Sequence, residues 1–484
     1  MTEALLSELS VPGRPTVVVP KPDLPAVKSD IPVSLLRTAL PLPQVGEPEV
    51  VRHYTRVSRL NVSIDTTFYP LGSCTMKYNP KVNDAMASLP GFRNIHPLEP
   101  EALTQGAIQL TYELQRLLAA ISGFDAVSLA PAAGAQGELS GLLMIRAAHE
   151  ARGEGSRRRR VLIPDSAHGT NPATAAMVGY QVVALRSDAR GNVDLAALRD
   201  LLDDDVAGLM ITAPSTLGLF DEAMLEVTSL VHQAGGLVFG DGANLNALLG
   251  VARPRDFGLD VMHMNLHKTF TTPHGGGGPG SAAICATEAL APFLPTPVAT
   301  RHTDGAFTLD EVRPASIGRL HAFHGHFGML VRAYTYIRMV GSAGLREVSE
   351  AAVLNANYLR ARLADAYRLP YDRSSMHEVV FAGLRADGAS VEGAHVRTLD
   401  VAKRLLDYGF HAPTIYFPLI VPEAMMVEPT ETETKATLDA FVDAMLAIAA
   451  EARRDPELLH AAPTTTPVGR LDEATAARNP ILHW

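Results

Sequence analysis

Between Ala126 and Cys285 short apolar runs alternate with segments of helical periodicity, and this alternation constrains the fold more than any other feature of the chain. The strand candidates are Ala126–Leu129, Arg160–Ile163, Gln181–Ala184, Ala207–Thr212, Gly236–Gly240, Val261–Met264 and Ser281–Cys285. Strands separated by helical segments are the pattern of an α/β fold with a mostly parallel sheet. In such sheets ligands collect beyond the carboxyl ends of the strands. Reactive residues are therefore expected in the loops that follow these runs.

The flanks read differently. Thr104 to Ile121 has helical spacing and is stopped by Gly123. A helical stretch runs from Phe327 through Tyr336 to Met339, and a second covers Ser349–Tyr367. Strand-like His377–Leu384, helical Thr398–Leu406, strand-like Ile415–Leu419 and a last helix from Thr432 to Arg453 follow, which predicts a smaller α+β domain. Met1 to Leu60 is proline-rich, shows no long amphipathic pattern, and reads as an extended arm. The expected division is an arm and entry segment at 1–98, a large ligand-binding domain at 99–326, a small domain at 327–462 and a tail at 463–484. A chain of 484 residues is too long for one small core.

Composition narrows the function classes. A formal net charge of −10 suits neither bulk nucleic-acid binding nor an anionic membrane. The local basic run Arg157 to Arg160 reads as a solvated loop before a strand. Two distant cysteines, Cys74 and Cys285, make neither a disulfide framework nor a zinc site, so no metal is expected. Met1 to Arg14 lacks the pattern of a secretion signal, and no apolar run is long enough to span a bilayer. The expected compartment is the cytoplasm.

The segment from Asn265 to Gly280 carries the most chemistry. Lys268 closely follows an apolar strand, and four consecutive glycines, Gly275 to Gly278, come shortly after. Glycines allow close approach of a ligand, and a lysine at a strand end is poised for imine chemistry in a desolvated site. A surface lysine beside a flexible loop is the competing reading. The run does not fit a Walker phosphate loop, because the lysine precedes the glycines. Asp241 ends the buried run Gly236-Leu-Val-Phe-Gly-Asp241. Pyridoxal phosphate needs a carboxylate against its pyridine nitrogen, which keeps the ring protonated and able to accept electrons. Gly134, Ala135 and Gln136 lie between a strand and a helix, where backbone N–H groups bind phosphate; an ordinary tight turn is the alternative. His168 follows another strand and is placed to stack on the cofactor ring. Thr216 is a candidate partner for the cofactor's phenolic oxygen, and His267 precedes the lysine.

Together these phrases resemble the glycine decarboxylase P-protein family of the glycine cleavage system, and more narrowly the second subunit of its split bacterial form. The matching phrases are Ser63 to Lys77, the Gly134 loop, Asp165 to Pro172, Asp241 to Asn246, Asn265 to Lys268, Ser316 to Arg319, Met376 to Glu378, Glu428 to Glu431 and Arg470 to Glu473. They span nearly the whole chain from Tyr54. The resemblance implies a PLP-dependent transferase fold type I (aspartate aminotransferase-like). It makes Lys268 the Schiff-base lysine, Asp241 the partner of the pyridine nitrogen and His168 the ring-stacking residue. It also implies loss of CO2 from glycine with transfer of the aminomethyl group to the lipoyl arm of H-protein. The partners would be P-protein subunit 1, in an α2β2 heterotetramer, and lipoylated H-protein. Arg319 and His168 are the candidate partners for the glycine carboxylate. Cys74 reads as a packed small residue rather than a reactive thiol. The departures from the family pattern are Ala130, Gln136, Leu139 and His326. A stand-alone amino-acid decarboxylase and a scaffold subunit without chemistry are the other readings.

Overall fold

The computed structural model describes residues 3–14, 23–25, 30–37, 42–272, 280–385 and 396–482. The chain divides into two compact units, Phe68–Ala462 and a second made of Met1–Thr67 with Pro463–Trp484.

The larger unit is organised by a seven-stranded sheet. Its strands are β1 (Ala126–Ser128), β2 (Arg160–Pro164), β3 (Gln181–Leu185), β4 (Val206–Thr212), β5 (Leu237–Gly242), β6 (Val261–Asn265) and β7 (Ala282–Ala286). The order across the sheet is β1-β7-β6-β5-β4-β2-β3. β2 to β6 pair in parallel. β7 is antiparallel to both of its neighbours, so it alone runs against the rest. Every residue of β4, β5, β6 and β7 is buried, as expected for strands covered on both faces. Successive side chains go to opposite sides. Leu162, Leu209, Val238, Met262 and Cys285 join one apolar cluster with Leu114 and Leu118 of the helix Glu101–Ser122. Val161, Ile163, Phe239, Val261 and Ile284 join another with Leu142 and Ile145 of the helix Gly134–Ala151.

The remainder of this unit has its own sheet and core. After the hairpin β8 (Val298–Arg301) and β9 (Phe307–Asp310), a helical span runs from Phe327 to Leu363. The two helices expected here are present, and they meet at Gly341, whose φ of 68° and ψ of 179° are non-helical. β10 (Val379–Ala382), β11 (Thr414–Ile415) and β12 (Ala424–Val427) form an antiparallel sheet in the order β10-β12-β11. Its central strand, β12, was not expected, and the expected strand at Ile415–Leu419 is cut short where Tyr416 turns to a φ of 57°. Phe381, Phe441, Met445 and Tyr367 pack with the helices Thr398–Asp407 and Lys435–Arg454.

Two expectations are corrected. The smaller unit contains a helix, Glu47–Ser58, where an extended arm was read. Its entry is closed by Glu49, whose side chain accepts the Gly46 N–H at 2.9 Å. Arg157 to Arg160 are not a free solvated run. Arg158 is buried and donates to the carbonyls of Val206 and Ala234, and Arg160 pairs with Asp203 and Asp205. Among the described residues no helix is long and apolar enough to cross a membrane.

Candidate active site

Five strand ends converge on a cavity of about 360 Å3. β5 carries Asp241 within the strand itself. β6 ends at Asn265, and a single helical turn, Leu266–Thr269, projects Lys268 toward the same space. The loop after β2 supplies His168, and the loop after β4 supplies Thr216. Gly134 and Ala135 open the helix that follows β1. All of these residues line the cavity, together with His267. Parallel strands place their following loops along one edge, which is why positions far apart in the sequence meet there.

Asp241 is held as an anion. Burial works against its charge. The charge of His263, the Ala243 N–H, the Asn171 amide and the charge of Lys268 outweigh that and hold its carboxyl below the ordinary range. The Ala243 N–H donates to Oδ1 at 2.9 Å and Asn171 Nδ2 donates to Oδ2 at 3.1 Å. His267 is driven the other way. Burial, with the neighbouring charges of Lys268 and His263, lowers its pKa to about 4, so its ring is neutral at pH 7. Its Nδ1 lies 2.9 Å from the Ser281 carbonyl. Lys268 Nζ donates to the Ser73 carbonyl at 2.8 Å.

Glu138 connects the two sides of the cavity. Its buried carboxylate accepts from Thr170 Oγ1 at 2.8 Å and from Asn171 Nδ2 at 3.0 Å. Thr170 Oγ1 in turn lies 2.8 Å from His168 Nδ1, and the same Asn171 amide reaches Asp241. His168 and Asp241 are thus tied to one buried acid. Sequence reasoning quoted Glu138, Asn171 and Ser73 within their phrases but assigned them no part.

Other predicted residues have different partners. Gln136 turns back, and its Oε1 accepts the Ala132 N–H at 2.8 Å; its side chain does not line the cavity. Thr216 Oγ1 donates to the Ser166 carbonyl. Arg319 is paired with Glu311 and is not among the cavity-lining residues. Cys74 is largely enclosed, and burial raises its thiol to about 11, so it is no thiolate at neutral pH. Gly275 to Gly278 lie outside the described residues.

A relative from Desulforamulus reducens, named probable glycine dehydrogenase (decarboxylating) subunit 2, is 56% identical over 487 residues. The match covers 100% of this chain and 99% of that relative. The chain belongs to the glycine dehydrogenase (decarboxylating) subunit 2 family. A relative of the same name from Listeria monocytogenes is 53% identical, over 100% of this chain and 98% of its own. The family model described as glycine dehydrogenase, C-terminal domain, matches residues 348–460. Among solved structures, a glycine decarboxylase (P-protein) in inhibitor-bound form superposes with a TM-score of 0.72 at 21% identity, over 87% of this chain and 93% of that one. Glutamate decarboxylase from Lactobacillus brevis superposes with a TM-score of 0.65 at 14% identity, over 90% of this chain and 96% of that one. The fold of this glycine dehydrogenase subunit 2 family member is that of PLP-dependent fold type I enzymes.

The cavity suits such a cofactor. Among the described residues no side chain caps the helix that begins at Gly134, so its first N–H groups face the cavity uncapped. A Cβ on Gly134 would collide with the Asn265 side chain, which keeps the helix start close to β6. Thr212 Oγ1, also on the cavity wall, is buried without a hydrogen-bond partner.

Proposed function

We propose that this chain is the catalytic subunit of a two-subunit glycine dehydrogenase (decarboxylating), with pyridoxal phosphate on Lys268. The reaction releases the carboxyl group of glycine as CO2 and passes the aminomethyl group to the lipoyl arm of H-protein. The Cα–carboxyl bond breaks, and its electron pair becomes the new carbon–sulfur bond. The lipoyl disulfide opens, and its second sulfur takes a proton. The carbon is oxidised and the disulfide reduced, so no further oxidant is required. The observation that carries this reading is the convergence of Lys268, Asp241, His168 and an uncapped helix start on one cavity.

When bound, pyridoxal phosphate supplies a protonated ring that accepts the electrons released at Cα. The chain's own residues fit around it. Asp241, held as an anion, keeps a proton on the pyridine nitrogen. The N–H groups of Gly134, Ala135 and Gln136 receive the phosphate at the positive end of the helix. His168, fixed by Thr170, would stack on the ring. Thr216, whose hydroxyl now donates to Ser166, would hold the phenolic oxygen, and neutral His267 packs beside Lys268 without adding a competing charge. Arg319 stays with Glu311 and is assigned no contact with glycine. The relatives are named as a second subunit, and a first subunit completes an α2β2 assembly in this reading.

The test is exchange of labelled bicarbonate into the carboxyl of glycine, with lipoylated H-protein, with and without the first subunit. Exchange that needs all components is expected. No exchange in the complete mixture, with cofactor bound, would overturn the glycine assignment.

A further inference from the structure

Three of the sequence phrases have no part in the reaction as described: Gly72-Ser-Cys-Thr75, Met376-His-Glu378 and Glu428-Pro-Thr-Glu431. The structure brings all three together beside Lys268. The amine of Lys268 is anchored on the Ser73 carbonyl. Ser73 and Thr75 both adopt left-handed backbone, with φ of 63° and 49°. Side chains other than glycine rarely adopt this conformation unless their surroundings hold them in it. Two carboxyl groups supply the hold. Glu378 Oε2 accepts the Ser73 N–H at 2.8 Å, and Glu428 Oε2 accepts the Thr75 N–H at 2.8 Å. The turn is also pressed against β12, because a Cβ on Gly72 would collide with the Met426 side chain.

Neither carboxyl group is explained by an ion pair of its own. Glu378, Glu428 and the intervening His377 are fully enclosed. His377 Nε2 lies 3.7 Å from Glu378 Oε1 and 4.0 Å from Glu428 Oε1. Burial and the charge of Lys268 lower His377 to about 3, so its ring is neutral and offers no compensating charge. Burial, reinforced by Glu428, raises Glu378 well above the ordinary carboxyl range, and burial raises Glu428 as well. Two acids buried this closely do not both ionise. Glu428 Oε1 also accepts from Asn246 Nδ2 at 3.3 Å, but each acid accepts its shortest hydrogen bond from one turn, and the outward group of that turn is the carbonyl that receives the lysine.

We propose that Glu378 and Glu428 are positioning residues for Lys268, which pin the Ser73–Thr75 turn and thereby set the place of the amine through the Ser73 carbonyl. Neither residue lines the cavity, so their effect on cofactor chemistry is transmitted by the turn. This inference rests on Lys268 being the cofactor-bearing lysine.

The experiment compares Glu378→Ala, Glu428→Ala, Glu378→Asp, Glu378→Gln and Glu428→Gln with the parent chain. The first readout is the rate of reductive methylation of Lys268 in cofactor-free protein, followed by peptide mass spectrometry. The second is the pH midpoint of the cofactor–lysine absorbance in loaded protein. Loss of one anchoring hydrogen bond is expected to speed methylation by about tenfold in the Ala variants and to shift the absorbance midpoint. Glu378→Asp keeps the carboxyl group but draws it back from the turn, and it is expected to behave like Glu378→Ala even if the Ala variant fails to fold. The Gln variants retain an acceptor oxygen and are expected to stay within about twofold of the parent. Folded Ala and Asp variants with parental rates and midpoints would overturn the proposal, as would Gln variants that move as far as the Ala variants. Methylation reports on the lysine without cofactor. A parent chain whose cofactor attaches elsewhere would therefore break the functional reading while leaving the positioning result readable.

Discussion

Asp241 and Glu378 are both buried and both feel the charge of Lys268, yet their protonation goes opposite ways. Around Asp241 stand two donors, the Ala243 N–H and the Asn171 amide, with the His263 ring at 3.4 Å. Around Glu378 there is one N–H, a second acid and a neutral imidazole, and among the described residues its Oε1 has no hydrogen-bond partner. Burial opposes ionisation in both places, so the number and sign of the neighbours decide the outcome. The charged carboxylate lines the cavity, where the proposed function puts an electron-accepting ring. The two buried acids stand behind the Ser73–Thr75 turn, where only acceptors are needed.

A third buried group extends the comparison and carries the largest expected effect. Lys77 is enclosed but paired with Glu431 at 2.7 Å, with the Tyr336 hydroxyl at 3.3 Å. Burial disfavours its charge, but Glu431 and Tyr336 outweigh that and raise its pKa. Lys77→Met leaves Glu431 without its partner and is expected to lower the unfolding free energy by about 3–5 kcal/mol in urea titrations. A loss below about 1 kcal/mol would show that the pair is solvated and that burial is not the common factor.

Asp241→Asn removes the anion while keeping an acceptor for the Ala243 N–H. The glycine–bicarbonate exchange rate is expected to fall by about 10²–10³-fold. A fall of less than about tenfold would mean that the charge is not what the cavity uses. Glu378→Gln tests the other side. A carboxyl group that already shares a proton loses little on becoming an amide, so the unfolding free energy at neutral pH is expected to stay within about 1 kcal/mol of the parent. A much larger loss would place a full charge there.

The smallest effect is expected at half-buried Glu433. Burial raises its pKa from 4.5 to about 7. The folded state holds this proton more tightly than the unfolded state. Its contribution is therefore fully favourable below pH 4.5 and is lost as pH rises toward 7. Glu433→Gln should flatten the thermal midpoint across that window, and an unchanged slope would remove burial as the cause.

Much of this was legible in the sequence because the physics there is local. Strands β4 to β7 are buried on both faces and so read as apolar runs; Asp241 and Lys268 stand out as polar residues at the ends of β5 and β6, and His168 in the loop after β2. The helix Glu47–Ser58 was not legible, since it is mostly polar and exposed and buries only His53. β12 is four residues long and follows a left-handed Glu423, leaving no periodicity to detect. The carboxyl groups behind the lysine were invisible for another reason. Ser73 meets Glu378 across 305 positions and Thr75 meets Glu428 across 353, so their pairing exists only in the folded chain. Glu138 looked like one more residue of its helix until Thr170 and Asn171 closed on it. Gln136 and Arg319 show the converse, since suitable residue types in suitable phrases found other partners.

The central claim is that Lys268 bears the cofactor, and it is tested most directly by borohydride reduction of the loaded protein followed by peptide mass mapping. A single pyridoxyl-phosphate adduct on the peptide containing Lys268, absent from Lys268→Ala, is the predicted result. An adduct on another lysine, or one that persists in Lys268→Ala, would contradict it.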